Sequence, residues 1–305
     1  MSLVTPTDEV IAAVRAEFGL DQCGINEAVL SLKTWLAMQP HLPQNIDDSR
    51  LERWLIRCKN SLEKTKNSID MYYTLKNEIP EILCNRDPSE PWFKNICNVG
   101  YGCPLPHLTP ENNRVIVMGL LPSNPEMLIM NDILKMQFMI LDIRMCEDYS
   151  TSDIYVMDYK HFTMAHITKI TLTIIKKMEV CAMKGFNMRI KEIHLINIPQ
   201  FGEILVNVLK TVLNDKIASR IHVHSKGLSS LHEKIPKKIL PTEFGGQNGP
   251  VLEHWSAWLK KLESYREWFL EQDKYKSDES KRHGKAVQSC DLFGFEGSFR
   301  KLNVD

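Results

Sequence analysis

The sequence predicts an α/β protein with a mostly parallel sheet, preceded by an all-α helical bundle. Between about residues 91 and 250, short runs of β-branched residues alternate with longer helical patterns, which is typical of a parallel sheet with helical crossovers. Before residue 90, apolar residues instead recur at helical spacing. We therefore divide the 305-residue chain into a helical bundle at 1–90, an α/β domain at 91–250, and a C-terminal helix and tail at 251–305.

The helical bundle is predicted from capping residues and apolar stripes. Thr5-Pro6 followed by Asp8 predicts the first helix start, and Asp48 and Ser61 predict two later ones. The apolar residues of these helices recur at spacings of three and four: Ile25, Val29, Leu32, Leu36, Leu51, Trp54, Leu55, Leu62, Ile69, Tyr72 and Leu75. Nothing in this part is typical of a catalytic site.

The α/β part is predicted from strand-like runs with helical stretches between them. The predicted strands are Val115–Met118, Ile154–Met157, Ile193–Ile196 and Ile221–Val223. The predicted helices are Asn131–Arg144, His166–Met183 and Glu203–Leu213. The prediction of the sheet rests on this alternation of strands and helices.

Composition argues against several classes of protein. Thirty-eight basic residues balance 38 acidic ones, so no overall field attracts nucleic acid, and we expect no nucleic-acid partner. The eight cysteines form no CxxC pair and no zinc spacing, which favours a reduced, cytoplasmic protein. Asp8 and Glu9 precede any apolar run, so we expect no signal peptide. No stretch approaches the ~18 apolar residues of a membrane helix.

Motifs of nucleotide enzymes and hydrolases do not occur in the sequence, which contains no GxGxxG, GxxxxGK[ST] or GxSxG. The best metal-ligand candidates are His222 and His224, which would share one sheet face, with His194 one strand away. No acid or cysteine follows them at ligand spacing. We therefore expect hydrogen-bonded histidines, with no metal, no cofactor and no enzymatic activity. A metal-dependent enzyme that uses these histidines is an alternative.

Methionine is abundant, with 14 residues in the chain and most of them in the α/β part. Its side chain is flexible and adapts to irregular apolar spaces. Ordinary core packing accounts for any single methionine. Their concentration in one domain also fits a lipophilic cavity.

The most specific stretch is residues 186–246, FNMRIKEIHLINIPQFGEILVNVLKTVLNDKIASRIHVHSKGLSSLHEKIPKKILPTEFGG. It contains a basic strand, HLINIP, IHVH and LPTEFGG in order, and IYVMDYKHFTMAH (154–166) and DDSRLERWLIRCKNSLEKTK (47–66) lie upstream. Together these segments resemble the CRAL-TRIO (Sec14-like) lipid-binding family, in the branch that holds α-tocopherol transfer protein and cellular retinaldehyde-binding protein. The resemblance covers about residues 10–260.

The resemblance implies a sheet that floors a cavity for one lipophilic molecule, such as a tocopherol, retinoid, carotenoid or other isoprenoid. An amphipathic lid helix at roughly 200–213 would cover this cavity. Alternation along the strand also places Phe186, Met188 and Ile190 on one face. The ligand-binding residues that the resemblance implies are Met136, Met139, Ile140, Ile143, Phe162, Ile170, Met178, Cys181, Phe186, Met188, Ile190, Ile193, Ile204, Leu205 and Val208.

The resemblance also implies that Arg189, Lys191, Lys216 and Arg220 hold a phosphoinositide headgroup. The first pair alternates along a strand, and the second pair is four residues apart, as on one helical turn. We therefore expect a cytoplasmic protein that transfers a lipophilic ligand and docks reversibly on anionic membranes. The alternatives are a signalling adaptor that only senses phosphoinositides and, for the four basic residues, an ordinary solvated face.

Overall fold

The protein is described by a computed structural model that covers residues 2–199, 202, 206, 215–225, 227–287, 292 and 293. The strands are β1 (Gly100–Leu108), β2 (Asn113–Leu120), β3 (Ser152–Asp158), β4 (Ile190–Ile196) and β5 (Ile221–Val223). The helices are α1 (Asp8–Ala16), α2 (Gln22–Ala37), α3 (Asp48–Arg57), α4 (Leu62–Glu78), α5 (Pro80–Leu83), α6 (Pro91–Val99), α7 (Met130–Glu147), α8 (Met164–Ile167), α9 (Leu172–Val180), α10 (Asp215–Ala218), α11 (Ser229–His232), α12 (Val251–Ser264) and α13 (Arg266–Gln272). None of the described helices is long and apolar enough to cross a membrane.

The five strands form one sheet in the order β1-β2-β3-β4-β5. β2 to β5 are parallel neighbours, whereas β1 pairs antiparallel with β2. The mostly parallel sheet is therefore confirmed, and each predicted strand lies within an observed one. Strand β1 was not predicted, because its two glycines and two prolines, GYGCPLPHL, resemble a loop. An edge strand tolerates them, since one side needs no hydrogen-bonding partner.

Most predicted helices are present, with three differences. The N-cap of α1 is Thr7, whose side chain accepts a hydrogen bond from the amide of Val10, and not Thr5. The predicted helix His166–Met183 is divided into α8, α9 and a π-helical turn at Cys181–Gly185. The predicted helix Glu203–Leu213 lies outside the described residues, except for Val206.

Helix α7 lies between the helical region and the sheet. One set of its side chains, including Phe138, packs into the core of α2, α3 and α4. Another set, including Met139, packs against the sheet and α12. α7 therefore belongs to two hydrophobic cores, and the predicted domain boundary at residue 90 does not divide their packing.

A buried carboxylate on α7 joins the helical region to the rest of the chain. Asp142 accepts hydrogen bonds from Arg50 of α3 at 2.9 Å, from the Tyr72 hydroxyl of α4 at 2.9 Å, and from Arg86 at 2.5 Å. Arg86 also contacts Asp273, just after α13. Burial lowers the pKa of Arg86, but Tyr72, Asp142 and Asp273 outweigh burial and hold the pKa above its usual value.

We predict that Asp142→Ala lowers the free energy of unfolding by about 3–5 kcal/mol, because it leaves buried Arg50 and Arg86 without their shared carboxylate. The measurement is urea unfolding followed by circular dichroism. Glu126→Ala is the control, since Glu126 forms a surface ion pair with Lys169 and its loss costs at most about 1 kcal/mol. Equal effects of the two substitutions would contradict the prediction.

Candidate functional site

An apolar chamber of about 260 Å³ lies between the sheet and the helices that cover it. We call it the main chamber. β2, β3 and β4 form its floor, α7 forms one wall, and α9 with the following π-helical turn forms another. Its lining is almost entirely aliphatic, aromatic and methionine side chains, so its surface suits a hydrocarbon.

The main chamber brings together part of the predicted ligand-binding set: Ile140, Met178, Met188, Ile190 and Ile193. Lining residues that the sequence analysis missed include Met118, Tyr155 and Met157. Strand alternation in the sequence could have identified them. Ile116 and Met118 lie two residues apart on β2, as do Tyr155 and Met157 on β3, so each pair points to one face of the sheet.

The structure places five other predicted residues away from the chamber linings. Met139 and Ile143 are fully buried between α7 and the sheet, because the chamber faces the side of α7 that carries Ile133, Gln137 and Ile140. Cys181 and Phe186 lie in the core of the helical region, and Ile170 is half-buried elsewhere.

The position of Phe186 has a physical reason. The prediction extended strand alternation back from Ile190, but β4 begins only at Ile190 and a π-helical turn ends at Gly185. Phe186 therefore turns away and stacks on Phe138 at 5.4 Å between ring centroids. The predicted lid residues Ile204, Leu205 and Val208 lie outside the described residues.

A second chamber of about 190 Å³ adjoins the main one. It contains the predicted residues Met136 and Phe162, together with Tyr101, Asp158 and Trp255. Five residues line both chambers: Met118, Met130, Ile133, Gln137 and Met157. The two chambers are therefore neighbours that share a wall.

A basic groove of about 570 Å³ lies where the helical region meets the start of β4. The basic groove is lined by Arg57, Lys59, Lys64, Arg189, Lys191, Lys216 and Arg220, together with the acids Glu17 and Glu111. The four predicted phosphoinositide-binding residues thus lie together, although 24 residues or more separate the two pairs in sequence. Arg57, Lys59 and Lys64 were not predicted, because they come from α3, its end and α4.

Local structure presents these cations to the groove. Lys59 and Asn60 have positive φ angles of 54° and 59°, which turn the chain sharply after α3. Asn187 donates a hydrogen bond to the carbonyl of Arg57 at 3.0 Å, and this bond joins the end of α3 to the approach to β4. Within the described part of the chain, none of the seven groove cations forms an ion pair with a carboxylate.

The electrostatics of the groove favour an anion. Burial lowers the pKa of Arg189, and nearby Arg57 and Arg220 lower it further, while Glu17 and Asp153 oppose this effect. Nη1 of Arg189 is buried without a hydrogen-bond acceptor among the described residues. Cations that repel one another and a donor without an acceptor are both stabilised when an anion binds.

The basic groove and the main chamber also share a wall. Met183, Met188, Ile190 and Ile217 line both. A group bound in the groove therefore contacts the opposite side of residues that would contact a molecule in the chamber.

Of the three metal-ligand candidates, His194 and His224 are hydrogen-bonded, as expected, and His222 lies on the edge strand β5. Nδ1 of His194 lies 2.9 Å from Nε2 of His224, and Nδ1 of His224 lies 2.7 Å from Oγ of Ser230. His194 also stacks on His222, with ring centroids 5.2 Å apart. No group of three or more metal-ligating side chains among the described residues is arranged to hold a metal ion.

The environment of His194 disfavours its protonation. Burial lowers the pKa of His194 to about 4, Glu192 opposes this effect, and His224 and His222 add to it. Nε2 of His194 lies 3.0 Å from the Glu192 carboxylate, without the alignment of a hydrogen bond. His194 is therefore neutral at physiological pH.

Comparison with known proteins identifies the class to which this architecture belongs. Residues 98–246, which contain all five strands, match the family model described as "CRAL/TRIO domain". Residues 21–93 match the model described as "Pinta-like, UBA domain". Residues 98–246 therefore form a CRAL/TRIO domain, and the resemblance stated above is confirmed. The predicted domain boundaries stay a prediction.

The relatives include tocopherol-transfer-like proteins and clavesins. "Alpha-tocopherol transfer protein-like" from Mus musculus is 29% identical over 225 residues, which are 72% of this chain and 64% of that protein. This chain thus matches less than two thirds of that relative's length. "Clavesin-2" from Homo sapiens is 22% identical over 246 residues, 79% of this chain and 75% of that protein. A solved structure described as "Crystal structure of Sfh5" has a TM-score of 0.49 and 15% identity, and covers 75% of this chain and 89% of that chain.

We predict that acidification destabilises the fold through His194. Between about pH 6.5 and 4 the unfolded chain binds a proton at this residue and the folded chain does not, so the free energy of unfolding falls as the pH drops. The expected contribution between pH 7 and pH 5 is on the order of 1–2 kcal/mol.

The measurement is urea unfolding at both pH values for the wild type, His194→Asn and His107→Asn. His194→Asn should remove this part of the pH dependence, whereas the exposed His107 is a matched control. An identical pH dependence in the wild type and His194→Asn would show that His194 does not cause it.

Proposed function

We propose that this protein binds one small lipophilic molecule, such as a tocopherol, retinoid, carotenoid or other isoprenoid, and transfers it between membranes. Docking and release would depend on phosphoinositides, through reversible peripheral association of a cytoplasmic protein. The observation that carries the proposal is the wall shared by the main chamber and the basic groove. Because a lipid site and an anion site are in contact, binding at one site can influence binding at the other.

The chambers support the lipophile part of the proposal. Transfer of apolar ligand surface out of water stabilises a complex by about 25 cal/mol per Å², and methionines adapt to branched or ring-shaped ligands. The relative named "Alpha-tocopherol transfer protein-like" is consistent with this ligand class.

The basic groove supports the phosphoinositide part. Its arginines and lysines come from α3, α4, β4, α10 and the segments directly beside them, and they line one concave space. A headgroup with several phosphates can accept hydrogen bonds from donors on different sides, which a single exposed lysine cannot provide. The residues from the helical region extend the implied site beyond Arg189, Lys191, Lys216 and Arg220.

The proposal is of a carrier and not of an enzyme. The described linings of the two chambers contain no histidine, cysteine, serine or lysine. Their ionisable groups are held in other interactions, as in the ion pairs of Arg144 with Asp153 and of Glu179 with Lys176. In the second chamber the Tyr101 hydroxyl donates to the Asp158 carboxylate at 3.2 Å. Burial raises the pKa of Tyr101, and Asp158 raises it further, so this hydroxyl is a weak nucleophile.

We predict that Met188→Asp abolishes uptake of a fluorescent lipophile, because a charge would be buried against the apolar ligand without a partner. Ile193→Asp should have the same effect. We expect binding at least about tenfold weaker, measured by fluorescence titration, with folding checked by circular dichroism. Val223→Asp is the control, since Val223 lies on the neighbouring strand β5 and is 45% exposed. A folded Met188→Asp protein that binds like the wild type would refute this placement of the ligand.

We predict that Arg189→Ala/Lys216→Ala weakens binding to liposomes containing phosphatidylinositol bisphosphate about tenfold or more, since each cation near an anionic surface contributes about 1 kcal/mol. The measurement is liposome sedimentation at physiological salt, with and without this lipid. Lys237→Ala/Lys238→Ala removes the same charge from exposed residues outside the groove.

If the two double variants lost liposome binding equally, the groove would be no more than an ordinary charged surface. A wild type that docks on the liposomes but carries no lipophile between them would instead support the adaptor alternative.

A further inference from the structure

We infer that the lipophile bound by this protein carries a hydroxyl group, and that the side-chain oxygen of Gln137 accepts the hydrogen bond from that hydroxyl. This inference rests on the proposed function and specifies its ligand class. It depends on one polar side chain placed between two apolar chambers.

Gln137 lies on α7 and lines both chambers. Its side-chain nitrogen Nε2 donates a hydrogen bond to the carbonyl oxygen of Gly102 on β1 at 3.0 Å. A Cβ atom at position 102 would lie 2.2 Å from this nitrogen, so the amide occupies space that only a glycine leaves open. The edge strand and α7 together hold the amide in the wall between the chambers.

The Gly102 contact determines which end of the amide remains for a ligand. A backbone carbonyl only accepts hydrogen bonds, so the amide nitrogen must face it and the oxygen must face elsewhere. Among the described residues, Oε1 of Gln137 receives no hydrogen bond. The group presented to a ligand is therefore an acceptor, which requires a donor on the ligand.

Most other polar groups in the linings already have partners. The Tyr101 hydroxyl donates to Asp158 at 3.2 Å, and Asp158 also accepts from Asn197 at 2.8 Å. Arg144 is held by Asp148 and Asp153. Among the described residues, no hydrogen bond is made by the Tyr155 hydroxyl, in the main chamber only, or by the buried Nε1 of Trp255, in the second chamber only. The Trp255 indole only donates, so it does not compete with Gln137 for the hydrogen of a ligand hydroxyl.

This arrangement selects among lipophiles with the same hydrocarbon chain. An alcohol or phenol donates to Oε1 and stays neutral. An aldehyde offers only an acceptor, and an ionised carboxylate brings an uncompensated charge into an apolar chamber. We therefore expect a preference of about tenfold for the alcohol over the aldehyde and a larger one over the acid.

The test uses four compounds with one C15 isoprenoid chain: farnesol, farnesal, farnesoic acid and farnesene. Each competes with Nile red for the full-length protein at pH 7.4. The wild type should prefer farnesol. Gln137→Met replaces the amide with an apolar side chain of similar length, so it should reduce farnesol affinity about tenfold and leave farnesene affinity unchanged. Gln247→Met makes the same change at an exposed residue outside both linings, so it is the matched control and should retain the preference for farnesol. Tyr155→Phe tests the other hydroxyl group of the main chamber.

The outcomes separate this inference from the proposed function. Equal binding of all four compounds to the wild type would overturn the inference and leave a lipophile carrier. Loss of the farnesol preference in Tyr155→Phe with its retention in Gln137→Met would also overturn it. If none of the compounds displaced Nile red, the proposed function would fail together with the inference.

Discussion

The buried carboxylate of Asp142 is the interaction on which the arrangement of the structure depends. It accepts hydrogen bonds from Arg50, Tyr72 and Arg86, and Arg86 continues the network to Asp273 near the C-terminal helices. Buried charges are tolerated only when their partners are in place. The network therefore fixes one orientation of α7 relative to α3 and α4, and with it the side of α7 that faces the chambers.

The orientation of α7 gives the site its two apolar compartments. Residues at spacings of three and four along one side, Ile133, Gln137, Ile140 and Arg144, face the main chamber. The neighbouring side, with Met139 and Ile143, is filled by the sheet. Open space remains along the first side, bounded by the sheet and by α9 with the following π-helical turn. The polar Gln137 is placed in this wall by its bond to β1.

The basic groove depends on a different contact, between the end of α3 and the approach to β4. The hydrogen bond from Asn187 to the Arg57 carbonyl brings cations of the helical region beside Arg189 and Arg220. Since Met188 and Ile190 line both the groove and the main chamber, this junction puts a charged site and an apolar one back to back. A change at one site can therefore reach the other directly, because the same side chains line both.

The sequence by itself determined the local elements, the parallel strands, the family and the four basic residues of the groove, because periodicity and motif order are properties of short segments. It did not determine that Phe186 leaves the chamber, that Arg57, Lys59 and Lys64 join Arg189, or that Gln137 meets Gly102. Periodicity states which residues share a face, but tertiary packing decides which neighbour that face meets. Contacts between residues far apart in the chain decide where these side chains lie. They involve the π-helical turn, the glycines of β1 and the Asp142 network.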